Sequence, residues 1–291
     1  MSGLDEGWAS TVSTWARAQP DINALVQIGS RVQKDAVVDR WSDYDYHLVT
    51  SRPEKYRDAS FCRELGECWA SGAQIAFGNA VKVTGVYADA LEADFVILKN
   101  WEVRIALAAL CLPSVARFWP RPLAQGIAGF RTVVAPGWRV IKGGKAWERR
   151  YARVAPFRAP LTEADFDSLC GEFWTQLIWA AKKAQRGECR AAQRCLHLHL
   201  IENSLRMLQE QAVHEGRKAY PLGRRAEAWL DGQQLTDTNF STSPNREALL
   251  AALIRIMLVF EKSSGAVAKE SGWNVMEYPK VRKWMESLGA G

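Results

Sequence analysis

The chain has 291 residues, 48% of them hydrophobic, with 38 Lys and Arg against 32 Asp and Glu, a net charge of +6 and a pI near 9.0. This composition excludes the disordered class, the length suits one large domain or two ordinary ones, and no stretch of about 18 apolar residues exists to span a membrane. The six cysteines, at 62, 68, 111, 170, 189 and 195, form no C-x-x-C pair, which argues against zinc; the polar, acidic start from Met1 to Ala9 does not read as a signal peptide, so the expected setting is the cytoplasm with reduced thiols.

In chain order, Trp8 to Ala18 suggests a leading helix. Ala24 to Ile28 (ALVQI) reads as a buried strand ended by Gly29-Ser30, and Asp45 to Thr50 (DYHLVT) as a second. Pro53 to Ala73 fits a helix with apolar residues at Phe61, Leu65, Cys68 and Trp69. Lys82 to Tyr87 is a third strand and Ala93 to Leu98 (ADFVIL), rich in β-branched and aromatic residues, a fourth. The densest basic stretch, Lys142 to Arg153, reads as a solvated loop or hairpin. No run of five or six like charges occurs, so nucleic acid is not the expected partner.

Beyond a Gly-, Pro- and charge-rich boundary between Arg139 and Pro160, the pattern becomes helical. Thr162 can cap a helix whose first turn carries Glu163 and Asp165, with Phe166, Leu169, Phe173, Leu177 and Ala180 drawing one apolar face. Ala191 to Ala212 repeats the spacing, Asn245 precedes a third long helix reaching roughly Ala268, and Pro279 to Leu288 closes the chain. The expectation is an α+β chain: a mixed sheet with flanking helices over 1–150, then a helical bundle over 151–291.

The chemistry is concentrated in Ile28 to Val49, IGSRVQKDAVVDRWSDYDYHLV. Gly29-Ser30-Arg31 follows one apolar strand, and Asp43-Tyr44-Asp45 enters the next. Side chains alternate along a strand, so Asp43 and Asp45 are expected to project the same way. Two carboxylates about 4 Å apart repel by roughly 4 kcal/mol at an effective dielectric near 20, which a bound Mg²⁺ relieves. Mg²⁺ takes one or two carboxylates together with phosphate oxygens, and in that place it serves phosphoryl or nucleotidyl transfer. Gly29 lets the backbone approach a phosphate, Ser30 can donate to it, and Arg31 can form a charge-assisted pair. Asp94 on the fourth strand is expected as a third acid, either a metal ligand or the base that takes a proton from an attacking hydroxyl; Glu92 shares its parity. His47 follows Asp45 on the same face and reads as an interior imidazole. His197 and His199, two apart on a helix, point about 200° from each other and do not suit one ion. No G-x-x-x-x-G-K-[ST] occurs, which sets aside a P-loop.

At these residues the chain resembles the nucleotidyltransferase superfamily, and more narrowly the aminoglycoside 6-adenylyltransferases, the streptomycin-modifying branch, with its G-S-R, D-Y-D and later strand acid. The back half carries further resemblance in Glu172-Phe173-Trp174, Lys182, Arg186 and Glu188, in Ser204-Leu205-Arg206-Met207, and in Leu222-Gly223-Arg224. The resemblance implies transfer of AMP from Mg–ATP to a hydroxyl of a streptomycin-class acceptor by an α/β nucleotidyltransferase domain joined to a helical substrate-binding domain. It further implies Lys182 and Arg224 near the triphosphate, and it leaves Glu188 and Glu202 as acids for a cationic acceptor. Two other readings stay open: a nucleotidyltransferase acting on protein or RNA, and a catalytically silent nucleotide-binding relative.

Overall fold

The computed structural model describes residues 3–33, 36, 38–76, 80–110, 121–154, 161–220, 223–274 and 278–289. The chain divides into two compact units, Met1–Ala159 and Pro160–Gly291. Each is built around its own apolar residues.

The first unit opens with α1 (Gly3–Ala18) and holds a six-stranded mixed sheet: β1 (Ile22–Ile28), β2 (Tyr44–Thr50), β3 (Cys68–Ile75), β4 (Val81–Tyr87), β5 (Glu92–Lys99) and β6 (Arg139–Lys142). Their order across the sheet is β3-β4-β5-β2-β1-β6. β2 and β5 run parallel; every other pair is antiparallel. α2 (Asn100–Ala109), α3 (Arg121–Val134) and α4 (Gly144–Tyr151) complete the unit.

The apolar residues of β2 and β5 fill both faces of the sheet, as strands covered on two sides must. Tyr44, Tyr46 and Leu48 join Phe95 and Ile97 and the α1 residues Trp8, Val12 and Trp15 on one side. Val49 and Leu98 join Val103, Leu107, Phe130, Trp147 and Tyr151 from α2, α3 and α4 on the other. Asp45 and His47, of the same parity as Val49, and Asp94 and Val96, of the same parity as Leu98, therefore share this second face.

Two expectations are corrected. Pro53 to Ala73 is not one helix: it forms two short 3-10 turns, Pro53–Tyr56 and Ser60–Leu65, followed by β3. Gly66 at φ +144° ends the second turn, a backbone state that a glycine adopts without penalty. β3 is largely exposed, so its small and polar residues give no alternation to read. Lys142 to Arg153 is likewise no hairpin but the end of β6 and the helix α4, with Trp147 and Tyr151, one turn apart, anchoring it in the core.

The second unit is helical: α5 (Glu163–Gln185), α6 (Cys189–Cys195), α7 (Ile201–His214), α8 (Ala226–Trp229), α9 (Gly232–Thr238), α10 (Arg246–Ser271) and α11 (Pro279–Gly289). Thr162 caps α5 by accepting from the Asp165 backbone N–H at 3.2 Å, and Asn245 caps α10 by accepting from that of Ala248 at 2.9 Å. The predicted second helix is interrupted by a π turn over Leu196–Leu200, where His197 and His199 are exposed. At the centre, Phe173 of α5 stacks on Phe260 of α10 with ring centroids 3.8 Å apart. Trp174 stacks on Tyr278 at 4.9 Å, which seats the Phe-Trp pair in packing. No helix among the described residues is long and apolar enough to cross a membrane.

Candidate active site

The sheet register lines up the site. Ile28 of β1 pairs with Asp45 of β2, Asp45 with Asp94 of β5, and Asp94 with Thr84 of β4. One row across four strands thus carries two of the predicted acids side by side. Asp43 lies one residue before β2 begins, so loop geometry and not strand alternation delivers it. The outcome is convergence: Asp43, Asp45 and Asp94 each offer a carboxylate oxygen, and these oxygens all lie within 4.8 Å of one another.

The loop that delivers Asp43 is held from within and from below. Asp39 Oδ1 accepts from the Trp41 backbone N–H at 2.9 Å and from Ser42 Oγ at 3.1 Å, while Ser42 Oγ accepts from the Asp39 N–H at 3.1 Å. Arg31 secures it further. Its Nε donates to the carbonyls of Ser42 and Asp43, both at 3.1 Å, and an Nη donates to Ser42 O at 2.7 Å. The guanidinium lies over the Tyr44 ring, 3.8 Å from its centroid, a cation–π contact. These hydrogen bonds tie Arg31, the residue expected at a phosphate, to the loop that carries Asp43.

Gly29 takes φ +76°, and a Cβ built on it would stand 2.0 Å from Asp45 Oδ2. The residue is a glycine for two independent reasons: the backbone state and the absence of room for any side chain beside the carboxylate. Ser30 opens a short 3-10 turn directly after it, half-buried.

Asp94 is 2% exposed. Thr84 Oγ1 donates to its Oδ1 at 2.5 Å, and the Lys82 ammonium pairs with Oδ2. Burial disfavours the Lys82 charge, but the hydrogen bond it donates to Asp94 and the charges of Asp94, Asp45 and Glu92 outweigh it and raise its pKa. Sequence reasoning missed both Lys82 and Thr84. The signal was parity: in Val81-Lys82-Val83-Thr84 the polar residues alternate with apolar ones, so both project to one face. Glu92 is exposed.

His47 is fully buried behind the acids. Its Nδ1 lies 3.1 Å from Tyr151 Oη, its ring stacks on Phe130, and its Nε2 has no hydrogen-bond partner among the described residues. Burial depresses its pKa to about 3, so it is neutral at physiological pH.

The remaining predicted residues belong to the second unit. Lys182 is exposed near the end of α5, and Arg224 is exposed, its carbonyl accepting from Trp229 Nε1 at 2.9 Å. Leu222 lies outside the described residues. Glu188 is tied to Lys183 at 2.5 Å and to Arg186 at 3.2 Å; the Lys183 hydrogen bond holds its carboxyl below the usual range. Glu202 is half-buried in the first turn of α7. A groove in this unit is lined by Thr175, Gln176, Trp179, Arg190, Arg194 and His199 among others, so its charge is basic.

Hard oxygen donors clustered this tightly suit Mg²⁺ better than a soft metal, so the donor set fits the ion expected from the sequence.

Comparison with known proteins gives one family match. Residues 5–84 match the family described as streptomycin adenylyltransferase; the match takes in Gly29 to Asp45 and stops before Asp94. Among solved structures, the chain is similar to an aminoglycoside 6-adenyltransferase from Bacillus subtilis, at 14% identity and TM-score 0.46, covering 100% of both chains. It is also similar to a nucleotidyltransferase-like protein from Exiguobacterium sibiricum, at 12% identity and TM-score 0.37, covering 99% of this chain and 89% of that one. No curated protein matches the chain.

Proposed function

We propose that the chain is a nucleotidyltransferase moving AMP from ATP to a hydroxyl of an aminoglycoside-like small molecule of the streptomycin class, a reading supported by the match of residues 5–84 to the family described as streptomycin adenylyltransferase. The observation that carries this reading is the gathering of the Asp43, Asp45 and Asp94 carboxylates within 4.8 Å of one another beside the Gly29-Ser30 turn.

Asp43 and Asp45 would hold Mg²⁺, with Asp94 as third ligand or as the group receiving the acceptor's hydroxyl proton. Bound there, the ion supplies charge neutralisation as pyrophosphate departs. Gly29 opens the backbone to a phosphate and Ser30 Oγ donates to it. Arg31 offers its guanidinium to a phosphate while its hydrogen bonds to the Ser42 and Asp43 carbonyls steady the loop of Asp43. Lys182 and Arg224 are assigned to the triphosphate, and Glu188 and Glu202 to the acceptor, on the family resemblance alone; the ion pairs of Glu188 with Lys183 and Arg186 compete with that use.

The test is Asp43→Asn, assayed for transfer of labelled AMP to streptomycin with Mg²⁺ present and for fold by circular dichroism. Loss of transfer to background with an unchanged spectrum is expected; retained turnover removes the assignment.

A second reading, an anionic acceptor such as RNA or an acidic protein surface, is favoured by one observation, the groove bearing Arg190, Arg194 and His199 beside Trp179. Offering tRNA and protein acceptors alongside a panel of aminoglycosides separates the two. Failure to bind Mg–ATP in calorimetry would instead identify a silent relative.

A further inference from the structure

We propose that the groove between α5 and α6 binds a phosphate-bearing nucleotide, at a site of the helical unit that needs no metal. The inference goes beyond the transfer reaction and does not depend on the acid cluster, because every residue that lines the groove lies in the second unit.

Helical spacing builds the site. Gln176 and Trp179 are three residues apart on α5 and share a face, and Arg190 and Arg194 are one turn apart on α6 and do the same. The π turn that follows α6 adds His199; such turns recur at functional sites. The groove has a volume of about 780 Å³, the size of a small-ligand cleft.

Charge selects an anion. No Asp or Glu lines the groove, and Glu188, just before α6, is engaged by Lys183 and Arg186. Neither Arg190 nor Arg194 has a hydrogen bond or ion pair with another described residue. Two like charges one turn apart destabilise the helix that bears them, and a ligand phosphate relieves that repulsion. Guanidinium groups form planar, two-pronged pairs with phosphate oxygens. A polycation of the streptomycin class finds no counter-charge in this lining.

The ring end of the ligand is selected separately. Trp179 is 43% exposed, with the Lys183 ammonium 5.4 Å from its ring centroid. Aromatic side chains of this kind stack nucleobases with little regard to their identity. Gln176 is braced by the Cys195 thiol, which lies 3.4 Å from its Oε1. The amide Nε2 is left to donate to a sugar or a base. An acidic peptide would use the arginines alone; a nucleotide uses the arginines, the indole and the amide together.

The test is calorimetry of AMP binding to the full chain in EDTA, which removes metal-dependent binding by the acid cluster. Arg190→Gln and Arg194→Gln are each expected to weaken AMP by roughly 10–100-fold, the loss of a charge-assisted hydrogen bond. Trp179→Leu should weaken it about tenfold, the loss of a stacked base. Asp43→Asn should bind AMP as the parent does, and circular dichroism checks the fold of each variant. Ribose 5-phosphate and adenosine, which each lack half of the ligand, should bind more weakly than AMP. No AMP binding in EDTA overturns the proposal, and so does equal affinity in the parent and both arginine variants. Ribose 5-phosphate binding as tightly as AMP overturns the nucleotide as ligand. Loss of AMP binding in Asp43→Asn overturns the placement in the helical unit. A short single-stranded RNA with a 5′-phosphate that binds more tightly than AMP supports the site with a strand end as its ligand; weaker binding supports it with a free nucleotide. None of these outcomes touches the metal reading, which Mn²⁺ binding by Asp43 tests on its own.

Discussion

At the residue scale, Gly29 tolerates the least. In Gly29→Ala the new methyl meets the Asp45 carboxylate, and the backbone sits at φ +76° and ψ −165°, an essentially glycine-only state that costs an L-residue about 1–3 kcal/mol before the clash is counted. We expect a lowered urea-unfolding midpoint together with weakened Mn²⁺ binding, because Asp45 must move aside. Full retention of both would show that the close approach is unimportant. His47 gives a prediction with a sign. Its pKa is about 3 when folded against an ordinary 6.5, so the unfolded chain binds the proton more readily. Stability from this group is complete above pH 6.5 and falls as pH drops from there toward 3, by up to about 1.4 kcal/mol per pH unit. Urea unfolding between pH 4 and 7 should lose that component of its slope in His47→Phe; an identical slope would contradict the buried neutral imidazole.

The site depends at the element scale on a loop and on strand register. Arg31 binds the carbonyls that precede β2 and stacks on Tyr44. A lysine retains the charge but lacks the planar fork. Arg31→Lys should therefore weaken Mn²⁺ binding by about 10–100-fold, the usual effect of losing a group that orients a metal ligand, with the circular dichroism spectrum unchanged. Unaltered affinity in that variant would return Arg31 to a phosphate role. The helix caps are a separate matter. Thr162→Ala removes the acceptor for the Asp165 N–H and should cost about 1 kcal/mol, read as a lower thermal midpoint with no change in metal binding. The caps at Thr162 and Asn245 and the apolar faces of α5 and α10 were legible because they are local patterns. The two short turns and β3 were not. Their residues satisfy a helical spacing, and only pairing with β4 and the turn at Gly66 turn the segment into a strand.

For the whole molecule, the division into two units separates the acid cluster from the stacked aromatic centre of the helical unit. Phe260→Ala should cost about 3–5 kcal/mol in that unit, lowering its unfolding transition while Mn²⁺ binding by Asp43, Asp45 and Asp94 persists. Loss of metal binding in a variant whose first unit remains folded would show that the cluster relies on the helical unit.

What the sequence determined by itself was residue chemistry and local periodicity: the Gly-Ser-Arg turn after an apolar strand, the Asp-Tyr-Asp entry to the next, the acid at 94, and the capped amphipathic helices. These depend on neighbours a few positions apart, which the order of residues displays directly. What only the tertiary structure decided were the relations between distant segments: the parallel pairing of β2 with β5 that sets Asp45 beside Asp94, the Arg31 clamp that brings Asp43 to them, and the reach of Lys82 and Thr84 from β4. Strand order and register follow from which apolar faces can be buried together, and that choice is made by the packed sheet as a whole, since no single strand contains it.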